Sequence, residues 1–376
     1  MTESFALKSI WNEWKKIADE LVPALPGLNL VIGVAIVARF LQGLLPGPTL
    51  NKAISEVLVA VVLGLYIRNT LGVSPRFEPG VKFSLQRILR LSIILLGLRL
   101  SLQDVAATGV TALVLVAVCI TMALLMAYIA GRLFKIPARL AALIGVGTAI
   151  CGNSAIVATA PVIEAKEDDV SFAVATITLF GLIAVIFYPI IGHVMGLSDR
   201  VFGLWSGTAV NDTSQVVATG AAYSSAALNV ATVVKLTRNT LMAPLIVLIG
   251  LVYSRTSQRQ LTGQAAQAAR LTLGKLVPWF VLGFLALSLV RTGGVAAGVL
   301  PQNVDKPGAL QSAAAMLKFA DETTRFCILM ALAGVGLGTN LQNMRKTGFK
   351  PFIVGLCVAT SLAVVSLSLI LFAGLV

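Results

Sequence analysis

Two segments decide how this chain is read: GTAICGNSAIVAT at 147–159 and GTAVNDTSQVVAT at 207–219. Each opens on Gly-Thr-Ala, closes on Val-Ala-Thr and carries a polar cluster between, and each lies inside a long apolar run. Glycine and hydroxyl residues weaken a helix and free backbone groups, which membrane depth tolerates only beside protein or water. Small and polar residues are costly there unless they bind something or pack against another backbone. The repetition suggests two halves of one site.

Outward from these segments the chain is apolar almost throughout. Of 376 residues, 57% are hydrophobic and 12% charged, with a mean hydropathy of +0.91. A soluble globule carries roughly 25% charged residues, so the fold class expected is an all-α polytopic membrane protein. A spanning helix needs about 20 apolar residues. On that basis about eleven spans are expected, at 27–45, 53–67, 88–100, 110–130, 140–163, 172–195, 203–222, 228–253, 276–290, 323–341 and 352–376.

Lys and Arg gather in the loops at 68–87, 132–139, 255–275 and 345–350. The positive-inside bias then puts the N-terminus in the cytoplasm and the C-terminus in the periplasm, with the acidic loop at 164–169 outside. The net charge of +13 reflects this topology, and nucleic acid is not an expected partner. Residues 1–26 read as an amphipathic helix on the cytoplasmic surface, with Leu7, Ile10, Trp14, Ile17 and Leu21 on one face. Residues 27–376 read as a single transporter domain. Cys119, Cys151, Cys327 and Cys357 are widely spaced and read as core thiols. A second echo, GLRLSLQ at 97–103 against GLGTNLQ at 336–342, falls on opposite faces in this topology, as an inverted repeat would give.

Candidate site residues come from the two motifs: Gly147, Thr148, Cys151, Gly152, Asn153 and Ser154 in the first, Gly207, Thr208, Asn211, Thr213, Ser214 and Gln215 in the second. A broken helix would offer an anion its N–H groups and positive dipole end, or a cation its carbonyls. Close packing of small residues is the plainer alternative. Asp212 lies near the middle of its run, where a carboxylate protonates or finds a cation. With Asn211 and Asn153 it is the candidate for coupling to Na⁺ or H⁺; a static pair with Lys235 or Arg238 is the alternative. Lys235 and Arg238, spaced i, i+3, share a helix face and could neutralise an oxyanion. Arg39, Glu56 and Arg90 read as structural charges, His193 as an interface residue at the cytoplasmic end of its span, and Lys318, Asp321, Glu322 and Arg325 as a short outer amphipathic helix. No nucleotide loop, zinc motif or nucleophile elbow is present, so an enzyme is not expected.

The chain resembles the YeiH-type family of bacterial inner-membrane proteins, described as sulfate exporters. The likeness rests on Gly147 to Gly152 with Ala158 to Ile163, on Val174-Ala175-Thr176 with Phe180-Gly181 and Tyr188-Pro189, on Gly207-Thr208 through Gln215 to Ala218, and on Val234-Lys235-Leu236 with Arg238 and Met242-Ala243-Pro244. It is distantly similar to the bile-acid, arsenite and riboflavin transporter superfamily, whose fold pairs a panel with a core of crossing broken helices. Some members carry a histidine before an acid where this chain has Asn211-Asp212, so a mechanism using an imidazole there is not implied. Together these imply an ion-coupled secondary transporter, in the cytoplasmic membrane, for a small anion such as sulfate or sulfite, with no cofactor beyond the coupling ion and with a homo-oligomer left open. The competing expectations are a Na⁺-coupled carrier of a larger organic anion and a non-transporting scaffold or receptor.

One span separates the two motifs in this topology. They would then run parallel, unless one sits on a half-helix or a re-entrant hairpin.

Overall fold

The computed structural model describes residues 2–44, 55–256, 279–302, 310–340 and 349–374. The expected connector at 254–275, most of the basic loop at 345–350 and the end of the 336–342 echo lie largely or wholly outside the described residues. Among those described, every regular element is a helix. Five helical segments are long and apolar enough to cross a membrane: Glu20–Gly43, Leu102–Leu133, Glu167–Val194, Trp279–Ala296 and Phe349–Phe372. A sixth is added if Ser225–Thr240 and Pro244–Tyr253, bent by 42°, form one span.

The chain divides into two compact units. The first comprises Met1–Ser92 and Glu322–Asn340. Its α1 (Thr2–Gly43) runs unbroken through Pro23 and Pro26, so helix does not stop at the boundary expected near residue 26. Ala24, Leu28, Val31, Ala35 and Ala38 form its buried stripe at helical spacing, while Val22, Ile36, Val37 and Phe40 face outward. α1 packs on α2 (Glu56–Tyr66) and on the short α3 (Glu78–Phe83). Arg39 pairs with Glu56 at 3.8 Å, as expected of structural charges. The chain leaves α2 through a π-helical turn, Ile67–Leu71, and enters α4 (Leu89–Leu96) through another, Ser84–Ile88.

The second unit, Ile93–Asp321 with Leu341–Val376, holds the motifs. It contains α5 (Leu102–Leu133), α6 (Ala138–Ala149), α7 (Asn153–Thr159), α8 (Glu167–Val194), α9 (Asp199–Ala209), α10 (Thr213–Tyr223), α11 (Ser225–Thr240), α12 (Met242–Thr256), α13 (Trp279–Ala296) and α15 (Phe349–Phe372). Between the last two in sequence, α14 (Gln311–Gly338) passes from the second unit into the first after Asp321 and is continuous through Lys318, Asp321, Glu322 and Arg325. These residues are therefore part of a long helix and not a separate surface one. The core packs α6, α9 and α11 among α5, α8 and α15. α15 grips α9 through Trp205 Nε1, which donates to the Ala363 carbonyl at 2.9 Å, and through the Thr208 and Ser366 hydroxyls 2.5 Å apart.

Candidate functional site

Each apolar run carrying a motif is two short helices with a break between them. α6 ends at Ile150, and Gly152 (φ 66°, ψ −124°) turns the chain into α7. That left-handed backbone is cheap only for glycine. α9 ends at Val210 in extended conformation, and Asp212 then caps α10. The cap is reciprocal: Ser214 N donates to Asp212 Oδ1 at 2.9 Å, and Asp212 N donates to Gln215 Oε1 at 3.2 Å. This is the capping box that satisfies two orphan N–H groups.

Both breaks reverse the chain. Arg139, at the start of α6, lies with Nη2 3.7 Å from Glu164 Oε2, just beyond α7. A straight helix of 25 residues would separate them by about 38 Å. In the second copy, Ser224 Oγ donates to Asp199 Oδ1 at 2.6 Å across the same 25 residues, and Phe202 of α9 stacks on Tyr223 of α10 at 3.8 Å. The pairs α6–α7 and α9–α10 are thus helical hairpins. Their mouths lie at opposite ends of α8: Lys166 caps its start beside Glu164, while His193 in its last turn stacks on Tyr223 at 4.3 Å.

This corrects the expected topology. The runs at 140–163 and 203–222 do not continue from end to end. Arg139 and Glu164, at the start of the acidic loop, share one end of the unit, so the run between them does not pass from one end to the other. His193 and Arg200 share the other end with the turn at Ser224. The cause is local: each run has enough apolar residues to cross, but Gly152 and the Val210-Asn211-Asp212 extension redirect the backbone midway.

The hairpins meet tip to tip. A Cβ on Gly152 would lie 3.0 Å from Asp212 Oδ2 and 3.2 Å from its Cα. Residue numbers in the two copies differ by 60 throughout: 139 and 199, 147 and 207, 152 and 212, 164 and 224. The tip residues that touch are therefore equivalents of one another.

Lys235 and Arg238 of α11 lie behind the tips, both 0% exposed. Lys235 Nζ donates to the Ile150 carbonyl at 2.7 Å, to Val210 at 3.2 Å and to Asn211. Arg238 Nε donates to Ala149 at 2.5 Å, Nη1 to Val210 at 3.0 Å and Nη2 to Thr148. The two cations thus cap the C-terminal ends of α6 and α9, where orphan carbonyls and negative dipole ends accumulate. Among the described residues neither forms an ion pair with Asp212.

The expected site residues consequently fall into two groups. Asn153, Ser154, Asp212, Thr213 and Ser214 are partly or fully exposed at the tips. Gly147, Thr148, Cys151, Gly152, Gly207, Thr208, Asn211, Gln215, Lys235 and Arg238 are buried. Several of these are structural: Gly147 abuts Ile156 across its hairpin, Gly207 abuts Val234, and Gln215 Nε2 donates to the Thr178 carbonyl of α8 at 3.0 Å. Sequence reasoning missed Gly181, whose missing Cβ makes the space that Gln215 occupies. Asn239, noted in the sequence only as the neighbour of Lys235 and Arg238, donates from Nδ2 to Thr213 Oγ1 at 3.3 Å, and Met242, not counted as a site residue, has Sδ 3.4 Å from Cys151 Sγ. For Asn239 the available signal was its place one residue after Arg238. Among the described residues, the Thr148 hydroxyl and the Oδ1 atoms of Asn153, Asn211 and Asn239 are buried without a partner.

A family model described as conserved hypothetical protein 698 matches residues 26–355. The chain belongs to that family, whose members include the YeiH-type proteins. Among its relatives, a UPF0324 membrane protein of Clostridium tetani is 31% identical over 346 residues, 90% of this chain and 94% of the relative. One from Streptococcus agalactiae is 34% identical over 349 residues, 92% and 96%. One from Bacillus cereus is 34% identical over 365 residues, 95% and 96%. These relatives are membrane proteins by name, and with its apolar helices this member of the conserved hypothetical protein 698 family is one as well. The matched region contains both hairpins and both buried cations.

Proposed function

We propose that the protein is a secondary transporter of a small anion, with its site on the exposed polar face of the two hairpin tips. The observation that carries this reading is the tip-to-tip meeting of two hairpins whose C-terminal ends are already capped by Lys235 and Arg238. Their C-terminal dipoles are thereby committed. The N-terminal ends of α7 and α10, with Asn153, Ser154, Thr213 and Ser214, remain partly exposed.

The sign of the local charge favours an anion. Four half-helix ends contribute about ±0.5 each and cancel, leaving two cations against Asp212, a net of about +1. Protonating Asp212, or binding Na⁺ to it, raises this to about +2. Uptake of the cation would then strengthen anion binding, which is the logic of symport. Asp212 with the unpartnered oxygens of Asn153, Asn211 and Asn239 provides hard donors that suit a proton or Na⁺.

The two hairpins are read as inverted repeats, one entering from each membrane face. The basic residues Arg132, Lys135 and Arg139 favour the cytoplasmic side of a bacterial inner membrane for the mouth of the first. In this arrangement the site lies at the midplane between repeats, as in many secondary transporters. The runs at 140–163 and 203–222 then cease to count as crossings, so fewer than the eleven read from hydropathy remain. Sulfate and sulfite are the substrates implied by the family likeness.

The test is flux in proteoliposomes of radiolabelled sulfate and sulfite, with and without inward H⁺ and Na⁺ gradients. Gradient-driven uptake that Asp212→Asn uncouples is expected. Flux of another anion but neither of these would remove the sulfate assignment, and no anion flux by folded protein would remove the transporter reading.

A further inference from the structure

Within the first unit, a cleft of about 290 Å³ is lined by Arg68, Glu78, Val81, Lys82, Leu85, Leu337 and Gly338. We infer that it is a binding site for a phosphate-ester headgroup, supplied by an anionic phospholipid. It is separate from the hairpin tips and independent of any transport activity.

The charge is one-sided. Residues 68–90 carry Arg68, Arg76, Lys82, Arg87 and Arg90 against a single acid, Glu78. Arg87 is taken up by Glu20 at 2.8 Å. Arg68 is held in place rather than neutralised: Glu78 Oε1 accepts from Nη2 at 3.1 Å, the Val73 carbonyl accepts from Nη1 at 3.4 Å, and Glu78 itself stays 55% exposed. Lys82 also lines the cleft and is exposed, and among the described residues it has no hydrogen-bond or ion-pair partner. A fixed guanidinium and an unpaired ammonium lining one cleft suit a phosphate, the first by directional hydrogen bonds and the second as a point charge.

The rest of the wall is apolar, through Val81, Leu85 and Leu337. This matches the glycerol and first acyl carbons that a lipid carries below its phosphate. The position fits too, since α2 and α14, both apolar over their last turns, end at Tyr66 and Gly338 beside the cleft. Tyr66 and Leu71 stand exposed at the rim, as side chains at a bilayer boundary do. The flanking π-helical turns, Ile67–Leu71 and Ser84–Ile88, are of a kind that recurs at functional sites. Basic clefts at helix ends on the cytoplasmic side hold anionic headgroups elsewhere, and the charge bias puts this loop there.

The experiment measures thermal unfolding of the full-length detergent-solubilised protein titrated with phosphatidylglycerol, phosphatidylcholine or glycerol 3-phosphate. Phosphatidylglycerol is expected to raise the melting temperature and phosphatidylcholine to leave it unchanged. Lys82→Gln, a change at an exposed side chain, should weaken the phosphatidylglycerol response about fivefold, and Lys82→Arg should restore it. Stabilisation by glycerol 3-phosphate equal to that by phosphatidylglycerol would keep the phosphate chemistry but make the source soluble. Equal effects of the two lipids, or a phosphatidylglycerol affinity untouched by Lys82→Gln, would overturn the assignment.

Discussion

Three charged residues at the hairpin tips divide the labour, and substitutions separate their roles. Lys235 and Arg238 share the Val210 carbonyl but otherwise serve different acceptors, so removing Lys235 strips this donor from Ile150 and Asn211, and removing Arg238 strips it from Ala149 and Thr148, at roughly 1–3 kcal/mol each. Lys235→Met and Arg238→Met are therefore expected to lower the melting temperature markedly, with Arg238→Lys intermediate because an ammonium cannot keep the fork of contacts. A variant that melts like the parent while losing activity would make these residues ligands instead of clamps. Asp212→Asn is expected to behave in the opposite way. Asparagine caps helices as well as aspartate, so stability should stay within about 1 kcal/mol while any dependence of anion binding on pH or Na⁺ disappears. Sequence alone put Asp212 near the middle of an apolar run and Lys235 and Arg238 on one helix face soon after it. It did not show their partners, because carbonyls freed by a helix break carry no signature in residue type.

At the scale of the element, the question is why two apolar runs turn back. Hydropathy cannot distinguish a hairpin from a span, since 140–163 is long enough for either. The distinguishing features are conformational and paired. Gly152 adopts a backbone that other residues strain to reach, and Arg139 and Glu164 stand at positions whose equivalents, Asp199 and Ser224, also meet. The 60-residue offset that relates these closures is visible in the sequence. Its meaning emerges only once the ends are seen to touch. Gly152→Ala should cost roughly 1–3 kcal/mol from backbone strain, and more if Asp212 is displaced by the added Cβ. Gly181→Ala is expected to push Gln215 out of its contact with α8 and undo the capping box on α10. Melting curves of both variants check this, and parental stability in Gly181→Ala would argue against that packing.

For the whole molecule, composition sufficed to place the chain in a membrane and to make it all-helical. The twin motifs located the tips. If the two hairpins do not cross, the side expected for everything between Glu164 and Arg200 is reversed, because each hairpin read as a span reverses the parity of every later segment.

That parity can be measured directly by labelling single cysteines at positions 135, 166, 200 and 225 with a membrane-impermeant thiol reagent in intact cells and inverted vesicles, with the four native cysteines replaced. Lys135 and Lys166 are expected to react from the same face, and Arg200 and Ser225 both from the other. Labelling of positions 135 and 166 from opposite faces would mean that the first motif lies on a full crossing, and labelling of 200 and 225 from opposite faces would mean the same of the second.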